Sequence, residues 1–304
     1  MNWPKSLPCL QRVLFIAVTT SLISLSLDAY NHHNRSHKYV SHKHAWQDKY
    51  TLPELTSFVI ITASYNNIEW LERNLNSIFA QNYTNWHLVY IDDCSTDGTA
   101  DAVQAHIEKH GKSDKVTLIR NAQRHGHMYN QYHAIGAVAA DKVIVIVDGD
   151  DWFAHNEVLS SLNSIYQSQD VWLTYGQFWY WQKNRLGICR KLPDSVIKNN
   201  EIRTYPRWVT SHLRTFYAGL FHKIKKEDLM YGDAFVPMCA DIAAMFPMLE
   251  MAGQRIRFIE EILYIYNDAN QLSFFHDRRQ EQIALQKDLC SRPKYQPLDT
   301  LFDR

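Results

Sequence analysis

The fold is decided by two acidic stretches, IDDCSTDGT at residues 91–99 and VDGDD at residues 147–151. Each follows an apolar, β-branched run, so each is typical of a buried strand that ends in carboxylates. Strands of a parallel sheet are nearly continuous hydrophobic runs, because helices cover both faces of the sheet. Ligands of open α/β sheets bind beyond the carboxyl ends of such strands. The two stretches therefore predict one shared site, with carboxylates for a ribose, a base and a divalent cation.

A third apolar stretch, FVIITASYN at residues 58–66, precedes the two acidic stretches. An Asp-x-Asp element alone is a weak signal, since many strand-to-turn junctions are rich in Asp, but three elements in this order are much more specific. Beyond residue 57 strand and helix patterns alternate, which indicates parallel βαβ units. The sequence predicts strands at 57–63, 87–92, 115–120, 142–148 and 171–175, separated by helices at 67–80, 97–110, 127–140 and 155–168.

After residue 176 the pattern is less periodic and richer in aromatic residues. A helix is expected at 239–251, followed by strands at 255–259 and 262–266 and a charged helix at 277–290. A dinucleotide-binding fold is disfavoured, because no Gly-x-Gly-x-x-Gly follows the first strand, and the chain has no P-loop.

Charge and cysteine content disfavour other classes of protein. Lys and Arg together number 32, as do Asp and Glu, so no net field attracts nucleic acid or another polyanion. The five cysteines are scattered and show no Cys-x-x-Cys spacing, so neither a zinc site nor a disulfide framework is indicated. Free thiols in a reducing compartment are the simpler interpretation.

The amino terminus differs from the rest of the chain. Residues 13–27 carry no charge, which fits either an uncleaved membrane anchor or a cleavable signal peptide. The run is shorter than the roughly 20 apolar residues that span a bilayer. We assign residues 1–29 to this segment and 30–56 to a polar, His-rich linker. The protein is expected at a membrane through this segment, with the remainder of the chain in the cytosol.

The three stretches resemble the motifs of an inverting glycosyltransferase of family 2, which has the GT-A fold. In that family the first strand ends in a small residue, Thr or Ser, Tyr and Asn, as residues 63–66 do here. An Asp-Asp-x-Ser-x-Asp-x-Thr loop matches residues 92–99, and an Asp-x-Asp matches 148–150. The resemblance covers roughly residues 57–270. It implies an α/β fold in which a Rossmann-like, mainly parallel sheet is flanked by helices.

The resemblance also implies how the chain is organised. Residues 57–176 would form the nucleotide-sugar-binding half, 177–275 the acceptor-binding and catalytic half, and 276–304 a C-terminal helix and tail. The implied donor is a nucleotide-diphosphate sugar, with a UDP-sugar expected. A glycan, a lipid-linked group and a protein all stay open as the acceptor.

The resemblance assigns the donor site to the strand ends. Asp148 and Asp150 would hold Mg²⁺ or Mn²⁺, because hard cations prefer carboxylate oxygens. The metal would act as a Lewis acid that neutralises charge on the departing diphosphate. Asp92 would accept a hydrogen bond from the base, and Ala63 and Tyr65 would line the base pocket.

Further donor contacts are expected from Asn66, Asp93 and Asn121, and Asp148 would share in binding the nucleotide. The alternative for the loop after residue 92 is that its polar side chains only cap the next helix. Asn121 belongs to a stretch that matches the family in part, since Met128-Tyr129 replaces its Ala-Arg. Arg124 is an alternative partner for the phosphates.

The resemblance places the catalytic base at Asp241, which opens an apolar helix 91 residues after Asp150. The family commonly has Glu before this Asp, whereas this chain has Ala240. A first-turn Asp that favours the helix dipole is the competing interpretation, and Asp233 is the reserve candidate. The family's Tyr-Arg-x-His is absent, because the chain reads Tyr-Ile-Tyr-Asn at 264–267, so no third metal ligand is assigned.

Two rival functions follow from these departures. A carbohydrate- or nucleotide-binding protein without turnover would keep the fold and lose catalytic elements, as the missing Glu and His suggest. A sugar nucleotidyltransferase also combines an α/β sheet with metal-binding carboxylates. It would carry a Gly-rich, Arg- or Lys-bearing loop after the first strand, which this chain lacks.

Overall fold

The computed structural model describes residues 55–168, 170–270 and 278–302. These residues contain strands β1 (Phe58–Ser64), β2 (Trp86–Asp92), β3 (Val116–Arg120), β4 (Val143–Ile146), β5 (Trp152–Phe153), β6 (Leu173–Tyr180), β7 (Arg185–Leu186), β8 (Arg214–Tyr217), β9 (Met230–Tyr231), β10 (Ala234–Phe235) and β11 (Ile256–Tyr266). The α-helices are α1 (Leu71–Phe79), α2 (Thr99–Lys109), α3 (His127–Gly136), α4 (Val158–Ser168), α5 (Asp194–Lys198), α6 (Ala218–His222), α7 (Ala240–Ala252) and α8 (Arg279–Ser291). The alternation of strand and helix expected from residue 57 onward is confirmed.

Four parallel strands form the first half of the main sheet, in the order β3-β2-β1-β4. β1 pairs with β2 from Phe58 and Trp86 to Ser64 and Asp92, and with β4 on its other side. The strand order therefore reverses between β1 and β4. Ligands of open α/β sheets bind at such a reversal, outside the carboxyl ends of the strands. Asp92 ends β2 and Asp148 comes shortly after β4, on either side of β1, so both carboxylates lie at this edge of the sheet.

The second half of the sheet contains an antiparallel strand. β8 lies between β4 and β6 and runs opposite to both, with Arg214 beside Ile146 at the last pair of β4. The residues at the start of β8 therefore reach the edge where β4 ends. β6 and β11 are parallel to each other, so the segment after Tyr266 also reaches this edge. Sequence-distant parts of the chain thus converge beside the acidic stretches.

Hydrophobic residues fill two layers, one on each face of the sheet. Side chains of a strand alternate between faces, so Phe58 and Ile60 pack with α1, α2 and α4, whereas Ile61 packs with α3, α6, α7 and α8. β4 shows the same alternation, with Val145 in the first layer and Ile146 in the second. Burial on both faces explains the unbroken apolar runs in these strands.

Two boundaries differ from the sequence expectations. The strands expected at 255–259 and 262–266 form the single strand β11, and the expected gap is a bulge where the register with β6 shifts between Ile259 and Ile262. The expected boundary between the two halves, at residue 176, lies inside β6. Both halves therefore contribute to one sheet.

The expected anchor at residues 1–29 and the linker that follows lie outside the described residues, apart from the last two positions of the linker. Within the described residues, the helices are all too short or too polar to cross a bilayer. The membrane assignment stays a prediction.

Candidate functional site

The ends of β1 and β4 approach each other so closely that only glycine fits between them. A Cβ added to Gly149 would lie 2.6 Å from Cβ and 2.7 Å from Oγ of Ser64. Both contacts are far below ordinary van der Waals separation. Gly149 therefore allows the acidic loop after β4 to lie directly against the end of β1.

Asp92 ends β2 with one carboxylate oxygen engaged and the other without a partner. Oδ2 accepts a hydrogen bond from the Ser95 backbone N–H at 3.0 Å. Oδ1 is buried and has no hydrogen-bond partner, although the whole residue is only 3% exposed. A buried acceptor without a donor costs about 1–3 kcal/mol, so this atom is suited to a ligand that supplies an N–H.

Asp93, the next residue, has both oxygens engaged within the protein. Oδ1 accepts from the Asn121 side chain at 2.8 Å and the His125 backbone at 2.9 Å, and Oδ2 accepts from the Gly126 backbone at 2.8 Å. Burial raises the pKa of Asp93, but these hydrogen bonds to the charged form outweigh it and hold the pKa below its ordinary value. Asp93 and Asn121, both expected to contact the donor, thus fix the loop before α3.

The loop after β1 is tied to the loop after β2. The Asn66 backbone N–H donates to Ser95 Oγ at 2.9 Å, and Asn66 Oδ1 accepts from the Thr96 backbone at 2.8 Å. Asn66, another expected donor contact, therefore has its side-chain oxygen in use. The Tyr65 ring lies 3.8 Å from the Arg124 guanidinium, and Ala63 beside it is half-buried. The expected base-pocket residues Ala63 and Tyr65 thus lie at the carboxyl end of β1, where Ser64 pairs with Asp92 of β2.

Asp148 follows β4 and is surrounded by basic side chains. Its Oδ1 is buried without a hydrogen-bond partner, with His127 Nε2 3.5 Å away. Its Oδ2 lies 3.5 Å from Arg214 Nη2. Burial raises the pKa of Asp148, but the positive charge of His127 and Arg214 outweighs it and lowers the pKa below its usual value. Asp148 is therefore an ionised carboxylate with one open oxygen.

Asp151 resembles Asp93, because both of its carboxylate oxygens accept hydrogen bonds from within the protein. Its Oδ2 accepts from the Tyr264 hydroxyl and its Oδ1 from the Asn267 backbone, both at 2.7 Å. Burial and the nearby Asp150 and Asp148 charges raise the pKa of Asp151 well above its usual value. Asp151 thus connects the loop after β4 to the end of β11.

The expected metal ligands are only partly brought together. Ligand atoms of Asp148, Asp151 and His212 lie within 4.8 Å of one another. Asp150 lies outside this group, and its Oδ2 accepts from the Asn270 side chain at 2.8 Å. Two carboxylates and an imidazole are donors that Mn²⁺ and related cations accept, and the open oxygen of Asp148 completes the fit. The residues present are therefore suited to a divalent cation.

His212 is a site residue that the sequence did not reveal. Its ring stacks on Tyr264 with centroids 4.6 Å apart, and its Nδ1 lies 3.5 Å from Arg214 Nη2. Burial, together with the Arg214 charge, lowers the pKa of His212 to about 3. A neutral imidazole is the form that binds metals.

Asp241 differs from every other residue of α7. All the remaining residues of this helix are buried, whereas the Asp241 side chain is 31% exposed. Its Oδ2 lies 3.9 Å from Arg214 Nη1, which places it at the same edge as Asp148. Asp233, the reserve candidate, is exposed between β9 and β10. The geometry thus favours Asp241 over Asp233 as the carboxylate of this site.

Relatives match part of the chain. The model of "Glycosyl transferase family 2" matches residues 59–225. An uncharacterized glycosyltransferase of Nostoc sp. (strain PCC 7120) is 32% identical over 114 residues, which is 37% of this chain and 33% of that protein. The match thus spans about a third of the relative's length.

Solved structures share the fold at low identity. The mannosyltransferase PcManGT from Pyrobaculum calidifontis, in complex with GDP-Man and Mn²⁺, has a TM-score of 0.57 at 19% identity, covering 84% of this chain and 70% of that one. S. aureus TarS in complex with UDP-GlcNAc has a TM-score of 0.53 at 17% identity, covering 76% and 66%.

The strand order, the carboxylates at the switch point and a family match over more than half of the chain agree with one another. They identify the chain as a member of glycosyl transferase family 2 with a GT-A-like α/β fold.

Proposed function

We propose that the protein transfers a sugar from a nucleotide-diphosphate sugar to an acceptor hydroxyl, with inversion and with help from a divalent cation. The observation that carries this proposal is a pair of open, buried carboxylate oxygens. Oδ1 of Asp92 and Oδ1 of Asp148 lack hydrogen-bond partners, and they lie at the carboxyl ends of the two strands that flank β1. One oxygen is suited to a base N–H and the other to a cation or a ribose hydroxyl, so together they match a nucleotide that carries a metal.

We assign the cation to Asp148 and Asp150, with His212 as a further ligand from the start of β8. His212 would take the place of the family histidine that is missing near residue 267. When bound, the cation supplies Lewis-acid stabilisation of the leaving diphosphate. The protein holds these ligands in place. Gly149 lets the loop after β4 lie against the end of β1, and the Tyr264 hydroxyl accepts a hydrogen bond from the Asp148 backbone N–H at 3.2 Å.

Asp241 is assigned as the base. Its carboxylate takes the proton of the acceptor hydroxyl while that oxygen forms a bond to the anomeric carbon. The bond from that carbon to the diphosphate oxygen breaks on the opposite face, and the electron pair leaves with the diphosphate. A single displacement of this kind inverts the configuration. The partial exposure of Asp241 supports this role, because the acceptor must reach the carboxylate.

A UDP-sugar is the proposed donor. Among the structural neighbours, TarS is in complex with UDP-GlcNAc and the Pyrobaculum enzyme with GDP-Man, so the shared fold accommodates both nucleotides in those proteins. The Asp92 oxygen favours a base with an N–H, which uracil and guanine both have. The acceptor hydroxyl belongs to a glycan, a lipid-linked group or a protein.

The test is a thermal-shift screen of nucleotide sugars with and without Mn²⁺. Binding to the native state at 100 times Kd stabilises it by about 2.7 kcal/mol. We expect UDP-sugars to raise Tm more when Mn²⁺ is present than when it is absent. The matched control is Asp92→Asn, which should reduce the shift. No shift with any nucleotide sugar would contradict the proposal, and binding without hydrolysis or transfer would favour a binding protein that lacks turnover.

A further inference from the structure

We propose that Arg214 is a positioning residue of the transfer reaction, which holds the Asp241 carboxylate beside the donor site. The inference rests on the proposed function, since it takes Asp241 as the base. None of the three motifs singled out in the sequence contains Arg214. It reaches the site because β8 runs antiparallel to β4, which puts the first residue of β8 at the edge where β4 ends.

One guanidinium contacts both carboxylates through different nitrogens. Nη2 of Arg214 lies 3.5 Å from Asp148 Oδ2, and Nη1 lies 3.9 Å from Asp241 Oδ2. The Arg214 side chain is only 6% exposed, so few positions are open to it. Asp148 lies in the loop after β4, and Asp241 lies in α7. Arg214 therefore links the element that binds the donor to the element that carries the base.

A second buried arginine shows what a purely structural pair looks like in this protein. Arg203 donates to both oxygens of Glu250, at 2.6 and 2.9 Å, and to the Leu289 carbonyl at 2.7 Å. Such bidentate pairs are the strong, geometrically fixed type. Arg214 makes longer contacts to two different acids, and its Nε is buried without a partner. Its contacts leave the carboxylates open to other groups, as a reacting site requires.

A buried guanidinium must keep countercharges close, because an unpaired buried charge is very costly. The carboxylates that supply this countercharge are Asp148 and Asp241, which act most strongly on Arg214 and lie within 4 Å of it. The two aspartates in contact cannot move far from it without leaving it unpaired. Arg214 thus holds the buried side of the Asp241 carboxylate, while its exposed side is accessible to the acceptor. Displacing a reacting group by about 1 Å can lower a rate by about 10²-fold.

The test is a double-mutant cycle between Arg214 and Asp241. We expect Arg214→Gln to lower kcat by roughly 10–10²-fold while the Kd for UDP changes less than about threefold. Arg214→Lys should recover part of the loss, because it keeps the charge. In an Asp241→Asn background, Arg214→Gln should lower the remaining transfer by no more than about twofold, since residues that act as a unit are not additive.

The matched control is Arg203→Lys, a substitution at another buried arginine, which should lower Tm and leave kcat and KM unchanged.

If Arg214→Gln does not fold, the same cycle is measured with Arg214→Lys, where a smaller but equally non-additive loss is expected. A fully additive loss in the Asp241→Asn background overturns the proposal and leaves the proposed function in place. A rise in the Kd for UDP as large as the fall in kcat also overturns it, since Arg214 would then bind the donor. Full activity of Asp241→Asn would remove the base assignment and this inference together.

Discussion

The acidic loops after β2 and β4 divide their carboxylates in the same way. In each loop one aspartate, Asp92 or Asp148, has a buried oxygen without a hydrogen-bond partner. In each loop another aspartate, Asp93 or Asp151, has both oxygens occupied by hydrogen bonds from the protein. The occupied carboxylate fixes the loop, and the open one is left for a ligand. Two acidic residues of the same strand-end motif therefore need not share one role.

The loops differ in where their partners come from. Asp92 and Asp93 bind groups no more than 33 residues away, such as Ser95 and Gly126. Asp151 binds Tyr264, 113 residues away along the chain, and Asp148 lies beside Arg214. The first loop is completed by the neighbouring βα units, whereas the second depends on strands that are added later. In the first loop, we expect a single substitution to change either ligand binding or stability. In the second loop, which bonds to both halves of the sheet, we expect a substitution to change both.

The largest effect on activity is expected outside both loops, at the partly exposed carboxylate of Asp241. Asp241→Asn should lower transfer by roughly 10²–10⁴-fold, the usual scale for losing general base catalysis. Donor binding should be nearly intact, because the carboxamide has a similar shape and the open oxygens lie on other elements. Initial rates and UDP titrations check this, and NMR of the product should show an inverted anomeric configuration. Retention would defeat the single-displacement scheme, and an unchanged rate would move the search to Asp233.

In the loop after β4, Asp150→Ala should weaken Mn²⁺-dependent UDP binding by roughly 10–10²-fold, the scale of a lost interaction with a charged group. Calorimetric titration of UDP, with Mn²⁺ and with EDTA, measures the effect. Affinity in EDTA should change little, because the lost contact is to the metal. Binding in Mn²⁺ as tight as that of the parent would show that Asp150 is not a ligand, and would favour the group formed by Asp148, Asp151 and His212.

In the loop after β2, Asp92→Asn should weaken nucleotide binding by about tenfold, since one hydrogen bond to a charged acceptor contributes about 1.5 kcal/mol at the lower end of its usual range. Tm should hardly fall, because the open oxygen makes no bond within the protein. A titration and a thermal melt of the same preparation test both statements. A marked fall in Tm with unchanged affinity would reverse the roles of Asp92 and Asp93.

The smallest effect on binding and transfer is expected from Asp93→Asn, which should act on stability instead and lower the free energy of unfolding by about 1–3 kcal/mol. The pKa of Asp93 is lower in the folded protein than its ordinary value of about 3.9. Its stabilising effect is therefore complete above about pH 4 and is lost as the pH falls through the folded pKa. Urea unfolding of parent and variant should differ near pH 7 and converge at acidic pH. A difference that persists at low pH would mean that the charge of Asp93 is not responsible.

Much of the first half of the molecule could be read from the sequence. The apolar runs, their alternation with helices and the position of Asp92 and Asp148 at strand ends all depend on short windows of residues. These windows record the period of a strand or helix and the turn that follows it. They also placed Asp241 at the start of an apolar helix, where the structure has it.

The rest required the tertiary structure, because it depends on which strands pair across long stretches of chain. The insertion of β8 between β4 and β6 brings Arg214 and His212 to the site, and the course of β11 brings Tyr264 to Asp151. The hydrogen bonds by which Asp93, Asn66 and Asn121 tie the loops together likewise appear only in the folded chain, and their expected donor contacts stay predictions. A sequence shows which residues carry charge, but only the folded chain shows which of those charges are already satisfied.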